Sequence, residues 1–435
     1  MIQQSIFIVL VGLIFFFATK RFLFLRSNIL QGKDIEISGN RSQRWKNVLL
    51  IAFGQKKMFS RPIPGFLHLF IYVAFIFTQI ELIEILLDGA FGFHRFFVDK
   101  IGGLYNIIIN FIEILSLLAF IATIVFLARR NLLKLPRFKM SEMKGWPSMD
   151  ANNILFAEIV LIVGIFTMNG CDVLLQGLEP EHFKETGTLL ISDNIGPAIF
   201  GGFSVNSLYI LERFGWWLHL MVVLGFILYL PYSKHLHIFL SFPNVYFSKL
   251  SSIGKIENMP AIMNEVKSMY GIEVDATGAA EPDMNFGAND VTGLTWKHLL
   301  DAYSCTECGR CSNVCPASIT GKLLSPRKIM MDVRDRAEEL GKARSVAKDP
   351  LFYDGKSLFD RISREEIHAC TTCNACVEAC PILINPLDII LELRRYELLT
   401  ESAGPPDWLS MFNSIENTGA VWQMPVSRDN WIHES

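Results

Sequence analysis

Nine cysteines occur in the 435 residues, and eight of them fall in two short runs. Cys305, Cys308, Cys311 and Cys315 precede Pro316; Cys370, Cys373, Cys376 and Cys380 precede Pro381. Both runs have the spacing C-x2-C-x2-C-x3-C-P. Two-residue spacers let three thiolates wrap one cuboidal [4Fe–4S] cluster from a single loop, and a fourth cysteine followed by proline turns away into a helix and reaches a second cluster. The spacing therefore predicts one cluster on Cys305, Cys308, Cys311 and Cys380 and another on Cys370, Cys373, Cys376 and Cys315. Zinc is the rival metal, but a structural zinc ion usually takes one pair of CxxC rather than four cysteines in eleven residues. With no secretory leader ahead of them, clustered cysteines point to metal rather than to disulfides. The ninth, Cys171, stands alone in an apolar stretch and reads as a buried thiol.

Histidines form the second chemical set. A bis-histidine haem b needs two imidazoles at one depth on different helices. His219 and His237 are 18 residues apart, about five turns of one helix, so both would point from the same face, with His235 about 160° away from His219 and towards lipid headgroups. His68, near one end of the second apolar stretch, matches His237 in depth. His219 lies about 27 Å further along and cannot share a haem with His68. One haem on His68 and His237 is expected, with a second on His219 if a partner exists. At the depth of His219 the second stretch presents Thr78 and Gln79. Acids in the apolar stretches are Glu81, Glu84, Glu113 and Glu158. Ionisable groups at membrane depth default to functional candidates, and Gln79 with Glu81 is the expected site of quinone protonation, while Glu84 near a helix end would snorkel.

These groups need a membrane to sit in. Hydrophobic residues make up 51% of the chain, charged residues 19%, and the mean hydropathy is +0.32. Five apolar stretches, near 4–24, 62–86, 105–128, 152–174 and 214–238, are long enough to cross a hydrocarbon core. From Pro62 to Ile80 and from Phe214 to Ser233 there is no Asp, Glu, Lys or Arg, whereas a soluble core helix would need a polar face. The start Met1 to Gln4 has no basic region and no cleavage site follows, so the first stretch should stay as an anchor. Ten Lys/Arg against two acids in Lys20–Arg61, and six against two in Arg129–Asp150, contrast with one Lys against five acids in Asp172–Ile210. The positive-inside rule puts the first two loops in the cytoplasm, the N-terminus outside, and everything after the fifth stretch inside. A net charge of −3 offers nothing to nucleic acid.

Beyond the membrane region the pattern turns mixed. Residues 246–293, with the small and polar stretch Ala276–Ala280, read as an interfacial helix and linker. Residues 294–403 show helical periodicity around the cysteines, including helices over Pro326–Leu340 and Pro386–Leu399 that open on a permitted first-turn proline. The tail 404–435 carries Trp408, Trp422 and Trp431 without clear periodicity, as a segment lying on a partner would. The expected fold is all-α, with a five-helix membrane domain over 1–245 and a helical two-cluster domain after it.

The cysteine runs match those of two-cluster bacterial ferredoxins. With 54 residues between Cys315 and Cys370, they resemble the α-helical ferredoxin module of succinate dehydrogenase iron–sulfur subunits and of the heterodisulfide reductase family. The segments Arg213–His219 and Leu230–Phe239 are similar to the last helix of the nitrate reductase gamma subunit, a five-helix cytochrome b. That family has two histidines ten residues apart on its second helix, where this chain has His68 and then Thr78. A cytochrome-b-like bundle joined to a double-cluster module resembles membrane-bound heterodisulfide-reductase-type iron–sulfur oxidoreductases, including those linked to electron-transfer flavoprotein. In that family a Cys-Cys-Gly domain carries the catalytic cluster. No such motif occurs here, and no G-x-G-x-x-G opens a helix after a strand, so the resemblance implies a separate Cys-Cys-Gly-type subunit or the flavoprotein as partner. The expected role is one-electron transfer between that cytoplasmic partner and membrane quinone, menaquinone being the favoured case, in the cytoplasmic membrane. The rival is a membrane redox sensor or assembly platform whose clusters do not turn over.

Overall fold

A computed structural model describes residues 2–133, 135–273, 286–421 and 429–433. Among them the chain is helical throughout, with no strand and one isolated bridge between Lys33 and Thr295. Five helices are long and apolar enough to cross a membrane: α1 (Ile2–Ile29), α2 (Pro62–Phe91), α3 (Gly103–Asn131), α4 (Trp146–Leu178) and α5 (Val205–Tyr229). Phe16, Phe17, Ile107, Phe156 and Phe214 stand exposed on their outer faces, an arrangement that needs lipid rather than water as solvent. Inside, α4 and α5 cross closely because small residues meet. A Cβ on Gly215 would come within 2.7 Å of Met168 N, and one on Gly164 within 3.1 Å of His219 N.

The fifth span does not run straight to His237. Pro231 lies in a short 3-10 turn, Leu230–Tyr232, after which Ser233 is extended and its side chain accepts a hydrogen bond from His235 N at 3.0 Å. A second 3-10 turn, Lys234–Leu236, leads into a new helix, α6 (His237–Tyr246). Helical phase carried from His219 to His235 and His237 is therefore void, because the rotation per residue is lost at the break. His235 is not turned to headgroups; its ring lies 6.0 Å from that of His237 and 6.0 Å from Phe226.

The second half packs on α7 (Trp296–Ser304), α8 (Pro326–Ala347) and α9 (Pro386–Arg395), each opened by a side-chain cap from Thr295, Ser325 or Asn385. Its core holds Leu299, Ile329, Val333, Leu340, Ile389 and Leu393, and it also takes in Leu25 from α1. With 28 residues α1 is about 42 Å long, more than the ~30 Å hydrocarbon core, so its last turns leave the bilayer. There Asn28 donates to Tyr303 Oη at 3.0 Å and Arg21 pairs with Glu338. The two halves are thus locked together from the first helix onward.

Two expectations need correction. Residues 286–293 are not linker: Ala288 and Val291 lie in the core of the second half, and Ala288 N donates to Glu392 O at 3.1 Å. The expected small and polar linker Ala276–Ala280 lies outside the described residues, as does Trp422. The tail is not irregular at its start, since Pro406–Thr418 forms a helix, α10, and Trp408 packs edge-on against His368 at 4.8 Å.

Arg336 ties the 286–293 segment down. Fully buried, it donates to both oxygens of Asp290 at 2.9 and 2.7 Å, to both of Asp354 at 2.6 and 2.7 Å, and to Lys356 O at 2.9 Å. These hydrogen bonds hold the Asp354 carboxyl down at about 2, from the ordinary 3.8. Asp354 thus contributes stability that is full above the ordinary carboxylate value and is lost as pH falls towards 2. Arg336→Ala leaves Asp290 without its buried partner and should cost about 3–5 kcal/mol at neutral pH, read as a lowered thermal midpoint and faster proteolysis of the second half. An unchanged midpoint would show that water replaces the guanidinium without loss.

Candidate functional site

Each cysteine run folds into the same loop. Glu307 and Thr372, two residues after the first cysteine of each run, take positive φ of 55° and 54°, and Gly309 and Asn374, two residues later, take 70° and 60°. Alternating left-handed residues curl the chain so that successive N–H groups point inward, the geometry of an anion-binding nest. Gly309 has a further constraint, because a Cβ there would collide with Arg327 Nη1. The residues after Cys380 add to the nest: Ile384 N donates to Cys380 Sγ at 3.3 Å.

The structure brings the cysteines together in crossed sets. Cys305, Cys308, Cys311 and Cys380 line one cavity with Arg310, Arg327 and Pro381, and Cys376 also reaches its wall. Cys315, Cys370, Cys373 and Cys376 are mutual electrostatic neighbours, and Cys376 also approaches Cys311, so the sets adjoin. Cys380, Cys315 and Cys376 are buried while Cys373 is exposed. Burial pushes the thiols of Cys305, Cys376 and Cys380 up to about 12, and neighbouring thiolates add to the shift. Such sulfurs carry negative charge at neutral pH only when a cation shares the space, since a coordinating thiol is deprotonated outright. The donor set fits iron–sulfur clusters on that ground.

The first loop rests on the end of the membrane bundle that faces the ferredoxin domain. Arg310 donates to Lys57 O at 3.0 Å, Ser60 Oγ at 3.2 Å and Met58 O at 3.3 Å, on the turn that leads into α2. Glu307 receives Lys234 Nζ at 2.6 Å and Arg334 Nη1 at 2.8 Å. Arg327, fully buried, reaches Glu142 Oε1 at 2.8 Å and Arg137 O at 2.7 Å on the α3–α4 loop. Sequence reading missed Arg310, Glu307, Lys234 and Arg327. A charged residue between ligating cysteines, as Glu307 and Arg310 are, is the one signal that could have found two of them.

The histidines lie beneath. His68 Nδ1 is 3.0 Å from Gln55 Oε1, His237 Nδ1 is 2.9 Å from Lys234 O, and His219 Nδ1 is 3.1 Å from Leu161 O on α4. In each an oxygen fixes the proton on Nδ1 and leaves the Nε2 lone pair bare, the tautomer of a metal ligand. Burial holds His237 below the ordinary imidazole range, in the neutral form a ligand needs. His68 lies within electrostatic reach of His237, His235 and Arg310. His219, on the crossing of α4 and α5, is apart from them. Gln79 and Glu81 are not brought together. Gln79 is turned back to Phe75 O at 2.8 Å on an exposed face, whereas Glu81 is buried near Arg95. Glu84 does not snorkel; it is buried and accepts from Tyr105 Oη at 2.7 Å and Phe97 N at 2.8 Å.

Residues 304–384, which hold all eight clustered cysteines, match the 4Fe-4S dicluster domain family. Over 423 residues the chain is 29% identical to the "probable iron-sulfur-binding oxidoreductase FadF" of Bacillus subtilis, covering 90% of this chain and 54% of that one. Over 432 residues it is 26% identical to the "EtfAB:quinone oxidoreductase" of Syntrophomonas wolfei, covering 93% and 56%. The chain is a homologue of iron–sulfur oxidoreductases. A shorter match, 29% over 148 residues, covers 33% of the chain and 36% of a component of the dihydromethanophenazine:CoB–CoM heterodisulfide reductase of Methanosarcina mazei. The chain spans about half the length of the first two relatives. No solved structure matches it. With a dicluster domain and five apolar spans, this homologue is an iron–sulfur protein of the membrane.

If the crossed sets hold the clusters, Cys380→Ser should alter the electron paramagnetic resonance signal that Cys305→Ser alters, and Cys315→Ser the signal that Cys370→Ser alters. Loss patterns that follow the linear runs instead would assign each cluster to one run.

Proposed function

We propose that this chain passes single electrons between a redox partner on the ferredoxin side and quinone in the membrane, through two [4Fe–4S] clusters and one haem b. Bound clusters and haem supply one-electron transfer; the residues of the chain set where each sits. In this reading Cys305, Cys308, Cys311 and Cys380 hold the cluster next to the bundle, and Cys315, Cys370, Cys373 and Cys376 hold the outer one. His68 and His237 ligate the haem. The observation that carries the reading is the anchoring of the first cysteine loop on the turn before α2: Arg310 joins residues 57–60, and His68 follows within two turns of helix. The exposed sulfur of Cys373 suits the outer cluster to an external partner. His219, with its anchored Nδ1 but no second imidazole at its depth on α2, is left out of the relay.

Two-electron substrates need a flavin, a nicotinamide or a special catalytic cluster, so the partner is a flavoprotein of the electron-transfer type or a Cys-Cys-Gly-type iron–sulfur subunit, and menaquinone is the favoured carrier. The positive loops Lys20–Arg61 and Arg129–Asp150 support a cytoplasmic ferredoxin side.

In membranes holding the protein, reduced-minus-oxidised spectra should show a haem b α-band that His68→Ala and His237→Ala each abolish and His235→Ala retains. The purified protein should oxidise a quinol analogue with an artificial acceptor, and the two histidine variants should lose that rate while keeping cluster iron. A protein without haem that still reacts with quinol would overturn this relay.

A further inference from the structure

A second polar cluster lies at the other end of the bundle, away from the ferredoxin domain. It gathers on Arg95, which follows the outer end of α2 and is buried. Arg95 donates to Asp172 Oδ2 from Nε at 3.2 Å and from Nη2 at 3.1 Å, and to Asn169 Oδ1 at 2.6 Å. Five acids from three spans collect here, and four have donors of their own. Glu84 accepts from Tyr105 Oη and Phe97 N; Asp88 accepts from Arg95 N at 2.9 Å and Phe96 N at 3.1 Å. Glu113 accepts from Ile191 N at 3.0 Å, Ser192 N at 3.3 Å and Ser192 Oγ; Asp172 accepts from Arg95, His94 and Gln176.

Glu81 is satisfied on one side only. It is 4% exposed, and its Oε1 accepts no hydrogen bond among the described residues. The groups that face it are Arg95, Glu84, Glu113 and Asn169, whose side chain hydrogen-bonds the carboxyl, and Arg95 Nη1 stands off from Oε1 at 3.7 Å. One arginine, which never gives up its proton, cannot balance this many carboxylates in a buried site, where unpaired charge costs several kcal/mol. Glu81 Oε1, buried and without a hydrogen-bond donor, is the oxygen on which a proton can be held.

We propose that this cluster is a proton-exchange site, in which the Glu81 carboxyl takes up and releases a proton from the membrane face opposite the ferredoxin domain. A route to that face runs through side chains in sequence. Glu81 and Asp172 sit on the two arms of one guanidinium, and the other oxygen of Asp172 lies 2.8 Å from His94 Nε2. His94 opens to solvent, its side chain 19% exposed. In the outward transfer the Glu81 O–H breaks as an O–H forms on a water molecule beside the guanidinium, that water gives a proton to Asp172, and the Asp172 O–H breaks as an N–H forms on His94, 2.8 Å away; Arg95 stays charged throughout. The site stands whether or not the haem reading holds.

The test is infrared difference spectroscopy on oxidised protein in proteoliposomes, with acid pulses applied to one face at a time. A carboxylic C=O band should respond to pulses on the face away from the ferredoxin domain, vanish in Glu81→Gln, persist in Glu158→Gln and respond more slowly in His94→Ala. If Glu81→Gln fails to assemble, judged by cluster iron, Glu81→Asp serves, and the band should move in frequency. A band unmoved by both Glu81 variants, or one answering only to pulses on the ferredoxin side, overturns the proposal. Because the protein stays oxidised, failure of quinone turnover leaves this readout intact.

Discussion

Glu307, between two of the clustered cysteines, receives Lys234 from the break after the fifth span and Arg334 from α8. Through this buried carboxylate the cysteine loop, the membrane bundle and the ferredoxin core meet at one point, and Arg310 and Arg327 repeat the pattern on either side. Removing one partner of a buried pair is expensive because the other charge stays behind. The seam therefore holds the first cysteine set at a fixed place against α2 and the α3–α4 loop. The proposed relay depends on that placement, because its two halves must be kept in register.

Lys234 shows how the seam is built from a defect. Its N–H reaches Asp150 Oδ2 at 3.1 Å and its ammonium reaches Pro147 O at 2.8 Å as well as Glu307. An unbroken α5 would bond that N–H within the helix and carry the side chain outward with the helical phase. Pro231 and Ser233 stop the helix one turn early, so Lys234 can turn down to the cysteine loop and His237 can open a new helix. The same break that voids helical phase thus supplies both the cation of the seam and the carbonyl that holds His237 Nδ1.

What was legible in the sequence was what depends on short spacing or on length. The cysteine runs specify their loops within twelve residues, and the five spans announce themselves by apolar length alone. What was not legible depends on tertiary choice. Gln55, the oxygen beside His68, carries no pattern; it is placed by a left-handed turn with φ of 48°. Residues 286–293 look like linker because their apolar members are few, yet Arg336 and the Glu392 carbonyl draw them into the core. His235 was misplaced by assuming one continuous helix, and Gln79 was paired with Glu81 by proximity in sequence although residues two apart on α2 face opposite ways.

The two ends of the bundle solve opposite problems with the same residue types. At the end that faces the ferredoxin domain, cations outnumber acids around the cysteine sets, with Arg137, Arg310 and Arg327 set against Glu142 and Glu307. That excess suits thiolate-ligated clusters, whose negative charge it would balance. At the opposite end acids outnumber cations around Arg95, and the proposed proton site would meet that balance with protons. Charge in a low-dielectric setting has to be neutralised locally. A cation excess at one end and an acid excess at the other are what the proposed electron relay and the proposed proton site each require, and the helices between them fix the distance across which the two would be matched.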